Sequence, residues 1–163
     1  MKKEISVFLE NEKNTSELGL KLSEKLTAGL LLFLKGDLGA GKTCLVRSIL
    51  MSLGFKGKVK SPSYSLFEQY VIDGKTINHF DLYRFKSPEE WLAAGFNDYI
   101  NKHDITIIEW PEKAQNILCE PSPLFLILHL LEPFCLFLYH IKSQFQYLVH
   151  IEYFVPFQAT LLL

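Results

Sequence analysis

Apolar positions along the chain change their period several times, and each change predicts an element. Ile5 to Leu9 alternates with polar residues, which predicts a strand. Asn14-Thr15-Ser16-Glu17 then offers helix N-cap chemistry. Leu18, Leu22 and Leu26 recur on one face of the helix that follows, which should end near Gly29. Leu30 to Leu34 is an unbroken apolar run, the pattern of a strand buried on both faces. From Lys42 to Leu53 the helical period returns, with Leu45, Ile49 and Leu53 as its stripe and Gly54 as a C′ residue. Leu66 to Ile72 and Thr76 to Leu82 flank Asp73-Gly74, a hairpin signal. Ser87-Pro88-Glu89-Glu90 has the form of a capping box with proline at N1. It opens a short helix that carries Trp91, Leu92 and Phe96, with Gly95 as its stop. Ile105 to Ile108 predicts a further strand, running into Glu109-Trp110-Pro111-Glu112.

Beyond Leu118 the pattern gives way to near-continuous apolarity. Residues 119–163 contain no Gly, Asp or Arg and only four formally charged residues, too few to punctuate the run with polar turns. Leu124 to Leu131, Phe134 to Ile141 and Phe145 to Phe154 are the segments long enough to be strands. Three readings of this tail stand side by side: added strands of the same domain, a membrane span over Leu124 to Ile141, or a disturbed C-terminus. The Glu132-Pro133 pair at the centre of that span argues against a membrane helix. The division is therefore residues 1–118 as the main domain and 119–163 as an atypical tail.

Composition narrows the function. A chain of 163 residues supports one domain with a real core. The formal net charge of −1 predicts no large nucleic-acid footprint, so any RNA connection runs through a partner. Three cysteines without C-x-x-C spacing (Cys44, Cys119, Cys135) speak against a zinc site and a disulfide framework. The apolar run at the N-terminus is too short and interrupted for a signal peptide, which makes the cytoplasm the expected compartment.

The chemistry concentrates at Gly36-Asp37-Leu38-Gly39-Ala40-Gly41-Lys42-Thr43, which matches the phosphate-binding pattern G-x-x-x-x-G-K-[ST]. Glycines there let backbone N–H groups close on phosphate oxygens. Lys42 brings a positive charge to the β- and γ-phosphates, and the Thr43 hydroxyl can ligate Mg²⁺. A chance glycine turn would need neither the strand before nor the helix after. Residues 36–44 are thus the candidate nucleotide cradle; Cys44, in the first helical turn, is otherwise a small packed residue.

A phosphate loop also needs carboxylates at neighbouring strand ends. Asp81 follows Ile77-Asn78-His79-Phe80, and Glu109 follows Ile105-Thr106-Ile107-Ile108. Asp81, with the shorter side chain, is expected to anchor the Mg²⁺ shell beside Thr43, and Glu109 to reach the attacking water. Lys42, Asp81 and Glu109 form the candidate catalytic set. Trp110 either stacks on the nucleotide or packs in the core, and His79 is either a support for the metal end or a packed histidine. Two rivals fail on residues. Asn101-Lys102-His103-Asp104 imitates the guanine-reading N-K-x-D motif but precedes its strand instead of following it. An arginine-rich kinase lid is absent, since Arg47 and Arg84 are the only arginines.

Taken in order, the phosphate loop, Ser61-Pro62-Ser63-Tyr64-Ser65-Leu66, His79-Phe80-Asp81-Leu82-Tyr83-Arg84 and Ile108-Glu109-Trp110-Pro111-Glu112 resemble the TsaE family. The resemblance spans roughly residues 4 to 118. That family comprises bacterial ATPases required for threonylcarbamoyladenosine in tRNA. The resemblance implies an α/β fold of the P-loop NTPase kind, three layers with a central mixed sheet flanked by helices. It further implies ATP and Mg²⁺ as ligands, TsaB and TsaD as partners, and tRNA only indirectly through that complex. Ser61-Pro62-Ser63 stands where the family carries Ser-Pro-Thr, and the hydroxyl is kept. The expected activity is slow ATP hydrolysis without partners; the alternatives are a nucleotide-dependent binding module and a non-functional remnant.

Overall fold

The computed structural model describes residues 2–9, 11–118, 125–131 and 147–154. Its elements are β1 (Lys2–Leu9), α1 (Glu12–Ser23), β2 (Leu31–Gly36), α2 (Lys42–Ser52), β3 (Phe67–Ile72), β4 (Lys75–Asp81), α3 (Glu89–Ala93), β5 (Ile105–Glu109), β6 (Phe125–Leu131) and β7 (Tyr147–Phe154). Two 3-10 turns, Phe96–Tyr99 and Pro111–Ala114, complete the set. One seven-stranded sheet has the order β1-β7-β6-β2-β5-β4-β3. β2 runs parallel to both β5 and β6, and β4 parallel to β5, while β3 and β7 are antiparallel to their neighbours. The sheet is mixed, as expected.

Leu30 to Leu34 reads as continuous apolarity because β2 lies in the parallel centre and is covered on both sides. Leu32 and Leu34 join Ile77, Ile105 and Ile107 beneath α1 and α2, whose Leu18, Leu22, Leu45, Ile49 and Leu50 close that face. Leu31 and Phe33 point the other way, with Phe80 and Ile108, onto Trp91, Phe85 and Ala114. Burying each such side chain stabilises the fold by about 2 kcal/mol. Trp91 is fully buried and donates its indole N–H to Asn97 Oδ1 at 2.7 Å, so its polar edge is satisfied within the core.

Local signals are met with small shifts. The hairpin turns at Asp73 and Gly74, both at positive φ (49° and 75°), and its strands begin or end one residue from the expected bounds. Glu90 accepts from the backbone N–H of Ser87 at 3.1 Å, the return half of the expected capping box, but the N-cap of α3 falls at Pro88 and no side chain caps it. Helix α1 departs from expectation: it starts a turn earlier than Asn14 and ends at Ser23. Asn11 caps it by accepting from the Asn14 N–H at 3.1 Å, whereas Ser16 turns its hydroxyl back onto the Glu12 carbonyl within the helix. Leu26 stays in the core although the helix has ended.

The Asn101–Asp104 segment is a structural brace. Asn101 Oδ1 accepts from the N–H of His103 and Asp104 at 2.8 and 3.0 Å, just ahead of β5. In the tail, β6 pairs with β2 and β7 pairs between β6 and β1, in the segments read as strands from Leu124 and Phe145. The third segment, Phe134 to Ile141, lies outside the described residues. Among the described residues no helix is long and apolar enough to cross a membrane.

Candidate functional site

Because β2, β5 and β4 are parallel neighbours, their C-terminal ends open on one edge of the sheet. Three chemistry-bearing segments leave that edge: the loop after β2, Glu109 at the end of β5 and Asp81 at the end of β4. The register sets them side by side, with Leu34 opposite Glu109 and Glu109 opposite Asp81. They border an open cavity of about 330 Å³ together with Lys42, Thr43, Cys44, Ser61, Tyr83 and Trp110.

The loop is shaped for an anion. Gly39 and Gly41 both sit at φ +88°, a backbone conformation that side-chain-bearing residues rarely adopt. Gly41 is also the N-cap of α2 and supplies no side-chain cap, so the first N–H groups of the helix face the cavity without a carboxylate or hydroxyl cap. A phosphate fits this cradle. Lys42 is buried, and its Nζ donates to the carbonyls of Gly36 and Asp37 at 2.7 Å each while lying 3.9 Å above the centre of the Trp110 ring. Burial holds its pKa below the usual lysine value, against the raising influence of the Glu109 and Asp81 carboxylates. Burial pushes the Cys44 thiol up.

The carboxylates are held by different donors. Thr43 Oγ1 donates to Glu109, lying 2.9 Å from Oε1 and 3.1 Å from Oε2, and His79 Nε2 stands 2.9 Å from the same Oε1. Asp81 accepts from the Ser61 hydroxyl and from the Tyr83 N–H at 3.0 Å. Thr43 therefore meets Glu109 and not Asp81, its expected partner, because β5 and not β4 borders β2. Two carboxylates adjacent across a ladder repel one another, and a cation between them relieves that repulsion. Among the described residues no cluster of three or more His, Cys, Asp or Glu makes a ready metal cage. Two carboxylates and a hydroxyl suit a hard cation that takes its remaining ligands from a bound phosphate and water.

The family model described as Threonylcarbamoyl adenosine biosynthesis protein TsaE matches residues 9–132. The chain belongs to the TsaE family. The match extends past Leu118 through β6, further than the motifs alone. Among similar relatives, the tRNA threonylcarbamoyladenosine biosynthesis protein TsaE of Haemophilus influenzae is 51% identical over 109 residues, covering 66% of this chain and 67% of that one. The protein of the same name from Rickettsia felis is 38% identical over 116 residues, 71% of this chain and 67% of its own. The crystal structure of Bacillus subtilus YdiB superposes with a TM-score of 0.70 at 20% identity, over 93% of this chain and 86% of that one, and so shares the fold.

In this TsaE-family chain the motif residues converge as a set. Ser61 is tied to Asp81, and Tyr83 and Arg84 line the cavity mouth, with the Arg84 guanidinium 4.0 Å above the Tyr64 ring. Trp110 is half-buried at φ +59°, facing Lys42 and packed 5.2 Å from Tyr83 ring to ring. The contacts that sequence reasoning missed are Ser61 to Asp81 and His79 to Glu109. The alternation His79, Asp81 placed both on one strand face, and that is the signal from which the second could have been found.

Proposed function

We propose that this chain is a Mg²⁺-dependent ATPase that serves the formation of threonylcarbamoyladenosine on tRNA. It acts in the cytoplasm with TsaB- and TsaD-type proteins and meets tRNA only through that complex. The observation that carries the ATPase reading is the meeting of Lys42, Thr43, Glu109 and Asp81 around one cavity at the C-terminal edge of the sheet. Family membership and the names of the relatives support the pathway.

Lys42 leaves the Gly36 and Asp37 carbonyls and turns its ammonium to the β- and γ-phosphates, while the N–H groups at the start of α2 close on the phosphate oxygens. Mg²⁺, when bound, neutralises the charge gathered on those phosphates. The hydrogen bond from Thr43 favours Glu109 as the carboxylate beside the metal, with the Thr43 hydroxyl oxygen as ligand. Asp81, tied to Ser61, is then the carboxylate that orients water on the γ-phosphate side and senses the Ser61-Pro62-Ser63 segment. Exposed Leu38 in the cavity lining, and exposed Tyr64 beneath the cavity-lining Arg84, leave apolar surface for a partner that completes the site, which is the reason to expect slow turnover alone.

ATP turnover of the purified protein, with and without TsaB and TsaD, tests the reading. Magnesium-dependent turnover that rises with the partners is expected. Tight ATP binding with no turnover in either condition would replace it with a nucleotide-dependent clamp, and no ATP binding would end both.

A further inference from the structure

We propose that His79 is a positioning residue that fixes the Glu109 carboxylate for its metal. His79 has no exposed surface and lies on β4 between Ile77 and Asp81, on the face covered by α2. Its Nε2 is 2.9 Å from Glu109 Oε1, and its Nδ1 is buried with no hydrogen-bond partner among the described residues. An ionised carboxylate only accepts, so the proton on the contact is carried by Nε2. A buried polar atom left without a partner costs about 1 to 3 kcal/mol, more than a histidine kept for packing alone needs to cost the fold. The ring's one hydrogen bond is spent on Glu109.

The arrangement answers a specific difficulty. Asp81 stands directly opposite Glu109 in the ladder, and two carboxylates there push each other out of place. Thr43 cannot hold Glu109 alone, because its hydroxyl oxygen is also the group that meets the metal. His79 holds Oε1 at 2.9 Å from the β4 side, while the Thr43 hydroxyl lies 2.9 Å from Oε1 and 3.1 Å from Oε2. This is the relation by which a buried donor orients a metal-binding carboxylate, and losing such a donor costs about tenfold or more in metal affinity or activity. The inference rests on the reading of Glu109 as the carboxylate beside Mg²⁺.

Three measurements decide it. In the wild-type protein, nitrogen-15 NMR of the His79 ring is expected to report a proton on Nε2, with its signals displaced in Glu109→Gln; a ring protonated on Nδ1 alone overturns the proposal. By calorimetry, His79→Leu is expected to bind metal-free ATP as wild type does, while the gain in affinity on adding Mg²⁺ falls about tenfold. His79→Gln, whose amide reaches the position of Nε2, restores most of that gain, and His79→Asn, whose amide stops near Nδ1, does not. Equal magnesium dependence in Gln and Asn variants overturns the proposal even if the Leu variant fails to fold. Wild-type ATP binding that ignores Mg²⁺ would instead overturn the metal reading of Glu109 and the proposal with it, whereas magnesium-dependent wild-type binding with equal Gln and Asn variants overturns the role of His79 alone.

Discussion

The two ends of the parallel strands carry similar residues and use them in opposite ways. Toward the N-terminal ends, Asn78 receives Gln69 on its oxygen at 2.8 Å and donates to the Tyr99 carbonyl and to Asp104. Asn101 completes the set by donating to Asp104 at 2.8 Å, and Thr106 donates to the Tyr99 carbonyl at 3.0 Å. Each group's demand is met by another protein group. At the C-terminal ends, two carboxylates lie side by side, a buried ammonium is held by loop carbonyls, and a histidine nitrogen has no partner among the described residues. The first region is complete without anything else. The second is arranged so that its groups improve their interactions when an anion and a cation arrive. Amide and carboxylate content alone does not mark a site; the state of their hydrogen bonds does.

Substitutions can break this contrast. Lys42→Ala should lower ATP affinity about a hundredfold, since it removes the charge-assisted bonds to the phosphates, while the loss of its bonds to the Gly36 and Asp37 carbonyls is local to the loop and leaves the protein folded. Calorimetry showing unchanged binding would end the site assignment. Next in size, Glu109→Gln should cost about tenfold in Mg-ATP affinity along with turnover. Asp81→Asn should keep affinity and lose turnover. The reverse pattern would give Asp81 the metal and Glu109 the water, the arrangement suggested by their side-chain lengths.

At the self-satisfied end, Asn78→Ala should leave ATP binding alone and lower stability by about 1 kcal/mol in urea titration, because Gln69 and Asp104 lose a buried partner. An effect on turnover at constant stability would dissolve the contrast. The smallest effect concerns Cys44. Burial raises its pKa, so the thiol stays protonated to higher pH than free cysteine. Alkylation should be slower than for free cysteine at pH 8, accelerate as pH rises past the ordinary thiol range, and slow again under Mg-ATP. Reaction as fast as free cysteine, indifferent to nucleotide, would remove Cys44 from the cavity wall.

What the sequence made legible follows the range of the interactions. Residues 36–43 are readable because a phosphate loop is specified by local backbone geometry and fixed spacing. Asp81 and Glu109 are readable as strand ends because an apolar run that stops at a carboxylate has few other meanings. Which of them meets Thr43 is not readable, since it depends on β5 lying between β2 and β4, a property of strand order. The His79–Glu109 contact crosses from one strand to the next for the same reason. The start of helix α1 is not readable, because Asn11 and Asn14-Thr15-Ser16 both carry capping chemistry and only packing chooses between them. In the tail, apolar runs announced strands, but nothing in an unpunctuated run says which strands they join.

On the ATPase reading proposed above, the resting position of Lys42 has a kinetic consequence. With two short bonds to loop carbonyls and a tryptophan face beneath it, the ammonium is already well accommodated before any nucleotide arrives. Capturing a phosphate is then an exchange of partners, in which the old contacts are given up as the new ones form. Such an exchange lowers net affinity, and it works equally in the other direction. As a product departs, the lysine has somewhere to return, so the barrier to release is lowered and the emptied loop keeps its shape for the next nucleotide.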